Sequence, residues 1–164
     1  MNAPLDGLII LDLTHVLAGP YASMTLADLG ARVIKVERPG LGDDTRASPP
    51  FKGSESAYFA TINHGKESIA LDLKNVDDRI VFEELLSRSD VVLENYRPGV
   101  MERLGYGWED LHTKYPKLIY GAVSGFGHSG PDSQRPAYDM VVQARGGVMS
   151  ITGERDREPV RVGA

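Results

Sequence analysis

The run Leu8-Ile9-Ile10-Leu11-Asp12-Leu13 constrains this chain most. A short, nearly unbroken apolar stretch is the signature of a strand buried on both faces, which requires cover above and below. Gly19-Pro20 follows it. Proline suits the first turn of a helix and glycine its C-terminal end, so a helix is expected from about Pro20 to Gly30, with Met24, Leu26, Ala27 and Leu29 as its apolar face. Val33-Ile34-Lys35-Val36 is then a second strand. Strand, helix and strand in this order predict an α/β fold: a parallel sheet with helices on both faces.

The remainder continues the alternation. Residues 39–56 are rich in Pro, Gly, Asp and Ser and read as one long loop. Ser68 to Lys74 alternates and reads as a strand. Asn75 or Asp77 is placed to cap a helix whose stripe is Ile80, Val81, Leu85 and Leu86. Val91-Val92-Leu93 and Leu118 to Val123 read as strands, and Gly125 to Pro131 as a loop. A helix is expected from Tyr138 to about Met149, weakened by Gly146 and Gly147, with Pro159 to Val162 extended beyond it.

Bulk chemistry removes several function classes. Net charge is −5, so there is no basic footprint for nucleic acid. No apolar run approaches the ~20 residues a membrane span needs. Met1 to Asp6 lacks the basic and apolar regions of a secretory leader, so the cytoplasm is the expected compartment. There is no cysteine, which excludes disulfides and thiolate metal sites. The four histidines, at 15, 64, 112 and 128, never fall three or four apart, so no metal is expected.

Parallel sheets bind ligands at the carboxyl ends of their strands. His15 follows the first strand, where it is either a hydrogen-bonded strand-end histidine or a ligand contact. Arg38 follows the second. Lys35, Arg38 and Arg46 around the Gly/Asp-rich loop suit phosphate, because arginine forks match phosphate oxygens; a solvated surface role is the alternative. Gly19-Pro20 stands without a Gly-x-Gly-x-x-Gly run, which argues against classical dinucleotide binding. Asn95-Tyr96-Arg97-Pro98-Gly99 closes the fourth strand, with Arg103 one helical turn on; Pro98-Gly99 also reads simply as a turn before a short helix.

Taken together, Asp12 to Pro20, Val33 to Gly40 running on to Arg46, Leu71 to Lys74, and Glu94 to Gly99 followed by Arg103 resemble the class III CoA-transferases. The family includes formyl-CoA and carnitine CoA-transferases and the α-methylacyl-CoA racemases, and the resemblance runs along the whole chain. It implies a Rossmann-like, CoA-binding large domain whose N-terminal portion is residues 1–164. It implies coenzyme A contacts from His15, Leu17, Ala18, Arg38, Leu71, Asp72, Leu73, Lys74, Asn95, Tyr96, Arg97, Arg103 and Tyr138. Tyr96 would pack on the base or on pantetheine, with Arg97 and Arg103 on phosphate.

Leu17 stands where formyl-CoA transferases carry a glutamine, a departure that argues against oxalate in particular. Pro136 stands where some of them place a lysine. Tyr138 occupies the position of the racemases' catalytic histidine, and a phenol with a pKa near ~10 is a poor base at neutral pH.

The resemblance further implies an acyl-CoA and a carboxylic acid as substrates, with CoA passed through aspartyl-anhydride and aspartyl-CoA intermediates. The nucleophilic aspartate is expected just beyond Ala164, so residues 1–164 alone are expected to be inactive. A second domain, a returning C-terminal segment and an interlocked homodimer are expected of the longer protein. The alternatives are a racemase-like enzyme and a non-catalytic CoA- or nucleotide-binding module.

Overall fold

The computed structural model describes residues 3–163, which divide into two compact units, residues 3–123 and 124–163. The first contains β1 (Ile9–Asp12), α1 (Ala18–Asp28), β2 (Arg32–Glu37), β3 (Phe51–Lys52), β4 (Glu55–Ser56), α2 (Ala57–Asn63), β5 (Glu67–Ala70), α3 (Val76–Arg88), β6 (Val91–Glu94), α4 (Val100–Leu104), α5 (Trp108–Lys114) and β7 (Ile119–Ala122). Five strands form one sheet in the order β5-β2-β1-β6-β7, and every pairing in it is parallel.

Period-two alternation sorts the strand side chains to two faces. Ile10 and Val33, with Val91 and Leu93, meet Leu26 and Ala27 of α1. Leu11, Leu13, Ile34, Val36 and Val92 point the other way, onto Phe82 and Leu86 of α3, Met101 of α4 and Leu111 of α5. Both faces are therefore covered, as the apolar strands require. The chain runs outward from β1 through β2 to β5, then returns to place β6 on the other side of β1. The carboxyl ends of β1 and β6 thus flank a topological switch point, where open α/β sheets form a crevice.

Several expectations are corrected. Residues 39–56 are not one loop. Asp43 accepts from the Thr45 N–H and starts a 3₁₀ turn over Asp44–Ala47, and β3 pairs with β4 as a hairpin turning at Gly53. Ser56 caps α2 by accepting from the Phe59 N–H, a helix that carries too few buried residues to announce itself by periodicity. The third sheet strand ends at Ala70, four residues before Lys74, and Leu71 and Leu73 turn into the core.

The stripe of α3 is partly different. Asn75 caps it and Leu85 and Leu86 face the core as expected, but Phe82 is the other buried residue, while Ile80 is 65% exposed and Val81 is exposed too. Phe82 meets Tyr106 edge-on at 4.8 Å, which fixes the rotation of the helix.

In the second unit, the expected helix from Tyr138 is divided. α6 spans Asp139–Arg145, and Gly147, at φ +78°, turns the chain into a 3₁₀ turn over Val148–Ile151. The Gln143 carboxamide donates to the Val162 carbonyl and accepts from the Val162 N–H, which ties the extended 159–162 segment to α6.

The corrected stripe gives the first prediction. Phe82→Ala should cost about 3–5 kcal/mol of stability and Ile80→Ala no more than about 0.5 kcal/mol in urea unfolding. Equal costs would return Ile80 to the core.

Candidate functional site

A hollow of about 240 Å³ opens at the switch point. Its wall is built from Thr14 and His15 after β1, from Lys35 to Arg38 at the end of β2, from the Gly42–Asp44 loop, and from Tyr96 after β6. An adjoining hollow of about 190 Å³ shares Glu37, Arg38 and Gly42 with it and reaches Ser68 and Ala70 of β5.

Buried charges lie in and behind this wall, each matched. Asp12 is 0% exposed and accepts from the Thr14 N–H (2.9 Å), the Thr14 hydroxyl, the Ser23 hydroxyl (2.6 Å) and the Lys66 ammonium (3.1 Å). Lys66 also donates to the Pro20 carbonyl and to Asn63 Oδ1. Burial lowers the Lys66 pKa, against the pull of Asp12. Lys35 is 2% exposed; its ammonium donates to the Thr14 carbonyl at 2.6 Å and lies 2.9 Å from Asp43 Oδ2. Burial would raise the Asp43 pKa, but Thr45 and Lys35 hold it below the usual carboxylate range.

Glu37 accepts both arms of the Arg46 fork (2.7 and 2.6 Å), the Ser68 hydroxyl (2.6 Å) and the Asp43 N–H (2.9 Å). Arg46 in turn lies 3.8 Å over the Phe59 ring. A Cβ on Gly42 would stand 2.7 Å from Glu37 Oε2, so glycine leaves room for this pair.

Three side chains remain for a ligand. The His15 ring lies 5.4 Å from the Tyr96 ring. Burial lowers the His15 pKa although Asp43 and Asp44 oppose it, so a neutral imidazole faces the hollow. Burial raises the Tyr96 pKa, which keeps the phenol neutral. Arg38 stands at the mouth, its exposed guanidinium paired with Asp44. Two neutral rings beside an accessible arginine suit a ligand with a flat or apolar body and an anionic group.

The backbone between these parts is unusual. Val16 has φ +69°. A β-branched residue rarely adopts this left-handed conformation, at a cost of roughly 1–2 kcal/mol. Both neighbouring segments are held: Asn95 Oδ1 accepts from the His15 N–H, Asn95 Nδ2 donates to the His15 carbonyl, and a Cβ on Gly19 would collide with Thr14 at 2.4 Å.

The profile of CoA-transferase family III matches residues 5–164. The chain belongs to that family. It is 54% identical over 162 residues to the acetyl-CoA:oxalate CoA-transferase of Acetobacter aceti, covering 99% of this chain and 42% of the relative. It is 51% identical over 161 residues to the human succinyl-CoA:glutarate CoA-transferase, covering 98% of this chain and 37% of the relative. It superposes with a TM-score of 0.93 and 44% identity on a CAIB/BAIF family protein from Brucella suis, covering all of this chain and 44% of that one. The chain thus spans about two fifths of the length of these relatives.

As a member of this family, the chain gathers only some of its sequence-predicted contacts in the hollow. His15, Arg38 and Tyr96 line it, and Asn95 touches it through the His15 backbone. Leu17 and Ala18 are exposed at the start of α1. Asp72 and Lys74 lie in the exposed turn after β5, where the Lys74 N–H donates to Asp72 Oδ1, while Leu71 and Leu73 are core. Arg97 follows β6 and Arg103 lies on α4, both exposed; Arg103 Nη1 covers Gly99. Tyr138, in the second unit, is exposed and immediately precedes α6.

Lys35 and Arg46, expected to meet phosphate, are paired with Asp43 and Glu37. The missed partners left one signal: a lysine inside an otherwise apolar strand must find an anion when that strand is buried on both faces.

Among the described residues no three His, Asp or Glu side chains gather as a metal site requires. Nor, among them, is any helix long and apolar enough to cross a membrane.

Glu37 carries a pH signature. Burial alone would raise its pKa, but Arg46, Ser68 and the Asp43 N–H bring it down to about 2. A carboxylate held below its unfolded value stabilises the fold at neutral pH. That contribution fades as pH drops below the unfolded value of about 4.3 and is lost through about 2. It is worth on the order of 2 kcal/mol once the half-exposed Arg46 is discounted. Urea unfolding between about pH 5 and pH 2 should therefore show a shallower loss of stability in Glu37→Gln than in the parent. Parallel slopes would assign the acid sensitivity elsewhere.

Proposed function

We propose that this chain is the CoA-binding portion of a CoA-transferase that moves CoA from an acyl-CoA thioester to a short dicarboxylate. The observation that carries this reading is His15, Arg38 and Tyr96 around one hollow at the switch point, in a chain of CoA-transferase family III. The hollow's rings suit the adenine or pantetheine of CoA, and Arg38 suits its phosphates, with Arg97 and Arg103 as further phosphate contacts on the same edge of the sheet. The acceptor class follows the relatives, whose names carry oxalate, glutarate and mesaconate.

In this reading a carboxylate is the nucleophile. An aspartate attacks the thioester carbonyl, the carbon–sulfur bond breaks, and a mixed anhydride and CoA thiolate result. The thiolate attacks the aspartyl carbonyl, releasing the donor acid and leaving an aspartyl-CoA thioester. The acceptor carboxylate displaces the thiolate through a second anhydride, and the thiolate's attack on the acceptor carbonyl frees the aspartate. Each difficult exchange becomes two easier ones.

Asp12 and Asp43 are poor candidates for this role, since both are buried and engaged with Lys66 and Lys35. Following the resemblance to class III CoA-transferases, the reading keeps the nucleophile beyond Ala164, within an interlocked homodimer of the longer protein, with the cytoplasm as its compartment.

The test is calorimetric titration of CoA into the purified chain and into Arg38→Ala, Arg97→Ala and Arg103→Ala. Charge-assisted hydrogen bonds are worth roughly 1.5–3 kcal/mol, so each loss should weaken binding by about tenfold or more. A parent that does not bind CoA, or three variants that bind it as well as the parent, would overturn the reading. Turnover of the complete reading frame with oxalate against glutarate weighs the Leu17 departure directly: a preference for glutarate is expected from it.

A further inference from the structure

The left-handed backbone at Val16 has no cause within its own side chain, which is 46% exposed and β-branched. The cause lies in its neighbours. The peptide group joining His15 to Val16 is gripped at both ends: its carbonyl accepts from Asn95 Nδ2 at 2.7 Å, and its N–H points at Asp43 Oδ1 at 3.4 Å. The preceding peptide is gripped as well, since the His15 N–H donates to Asn95 Oδ1 at 2.9 Å. On the other side, α1 begins at Ala18, with Gly19 pressed against Thr14. Val16 and the N-cap residue Leu17 are all that lies between a fixed peptide and a fixed helix, and of the two it is Val16 whose φ goes positive.

We propose that Asn95 is a positioning residue: its carboxamide holds His15 and the strained Val16 in place, so that the His15 ring is presented against Tyr96 before any ligand arrives. Both polar atoms of the carboxamide bond the His15 backbone, and through that grip Asn95 acts on a ligand by way of His15. This goes beyond the CoA reading, because it holds for whatever the hollow binds.

The groups that face His15 are Asp43 and Asp44 from the loop after β2, Lys35 and Arg38 from β2 and its end, and Tyr96 after β6. If Asn95 lets go, Val16 relaxes to a commoner conformation, the ring leaves this surrounding, and its titration returns toward that of a free histidine. Glycine at position 16 adopts positive φ without steric cost. It should therefore restore the arrangement even without the clamp.

The experiment follows the His15 imidazole by NMR through a pH titration of the 164-residue chain, assigned by its disappearance in His15→Gln. The parent should titrate below the ordinary value of about 6.5. Asn95→Ala should move the titration up toward that value, and Asn95→Ala with Val16→Gly should bring it back down. An unmoved titration in Asn95→Ala, or no return in the double variant, would overturn the proposal.

Should Asn95→Ala fail to fold, thermal melting of Val16→Gly and Val16→Ala decides. The glycine variant should melt higher, the reverse of the order for residues at negative φ; an alanine variant that melts as high or higher would overturn it.

CoA titration of the same set separates this proposal from direct contact. About a tenfold loss in Asn95→Ala that recovers to within about threefold on adding Val16→Gly is the signature of positioning. A loss that does not recover assigns Asn95 to the ligand directly and overturns the proposal. If the parent itself does not bind CoA, the functional reading fails while the His15 titration still decides this one.

Discussion

Lys35 is the interaction on which the site depends. A full positive charge sits on the second strand of a sheet covered on both faces, at 2% exposure. Desolvating an ammonium costs several kcal/mol, and that cost is offset only by near-complete pairing. The ammonium finds the Thr14 carbonyl, at the end of the neighbouring strand, and Asp43, on the loop that follows its own. One side chain thus fixes the positions of two loops that form the hollow. Asp43 is then held so that its other oxygen can receive the Thr45 N–H and hydroxyl and face the Val16 N–H.

Asp12 and Lys66 form a second buried pair, outside the lining of the hollow. The carboxylate ends β1, and the ammonium comes from the start of the β5 approach; between them they reach Thr14, Ser23, Pro20 and Asn63. These buried pairs are weak sources of net stability, since an apolar replacement of similar volume costs no desolvation. Their effect is specificity of arrangement. An apolar pair would tolerate sliding; a lysine with three oxygens around it does not.

The architecture was legible because buried parallel strands and their helices leave strong marks. Leu8 to Leu13, Val33 to Val36 and Val91 to Leu93 each fell on a sheet strand, and Asn75 capped its helix as expected. The failures share a cause. Leu85 and Leu86 of the expected stripe do face the core, but Ile80 and Val81 are as apolar as Phe82, and it is packing against Tyr106 and the rest of the core that turns Phe82 inward instead. The hairpin and α2 hide because their stabilising contacts, Ser56 to Phe59 and Arg46 over Phe59, are polar or cation–π and leave no period. Position after a strand is what brings His15, Arg38 and Tyr96 to the lining of the hollow. The same logic could not show that Lys35 and Arg46 are paired with Asp43 and Glu37, because sequence shows a charge but not the anion it will meet.

The bond between Asn95 and His15 spans 80 residues. Strands β1 and β2 with α1 between them can pair locally, whereas β6 joins β1 only after the chain has left β1, travelled outward to β5 and come back. Closing so long a loop pays its entropy before any contact repays it, which makes such pairings late events. Thr14, Lys35 and Asp43 lie within one short stretch and can assemble early; His15 and Tyr96 cannot meet until β6 is in the sheet. In a chain emerging from the ribosome, the hollow therefore has one finished wall until residue 96 has cleared the exit tunnel, and the scaffold folds before the hollow is complete.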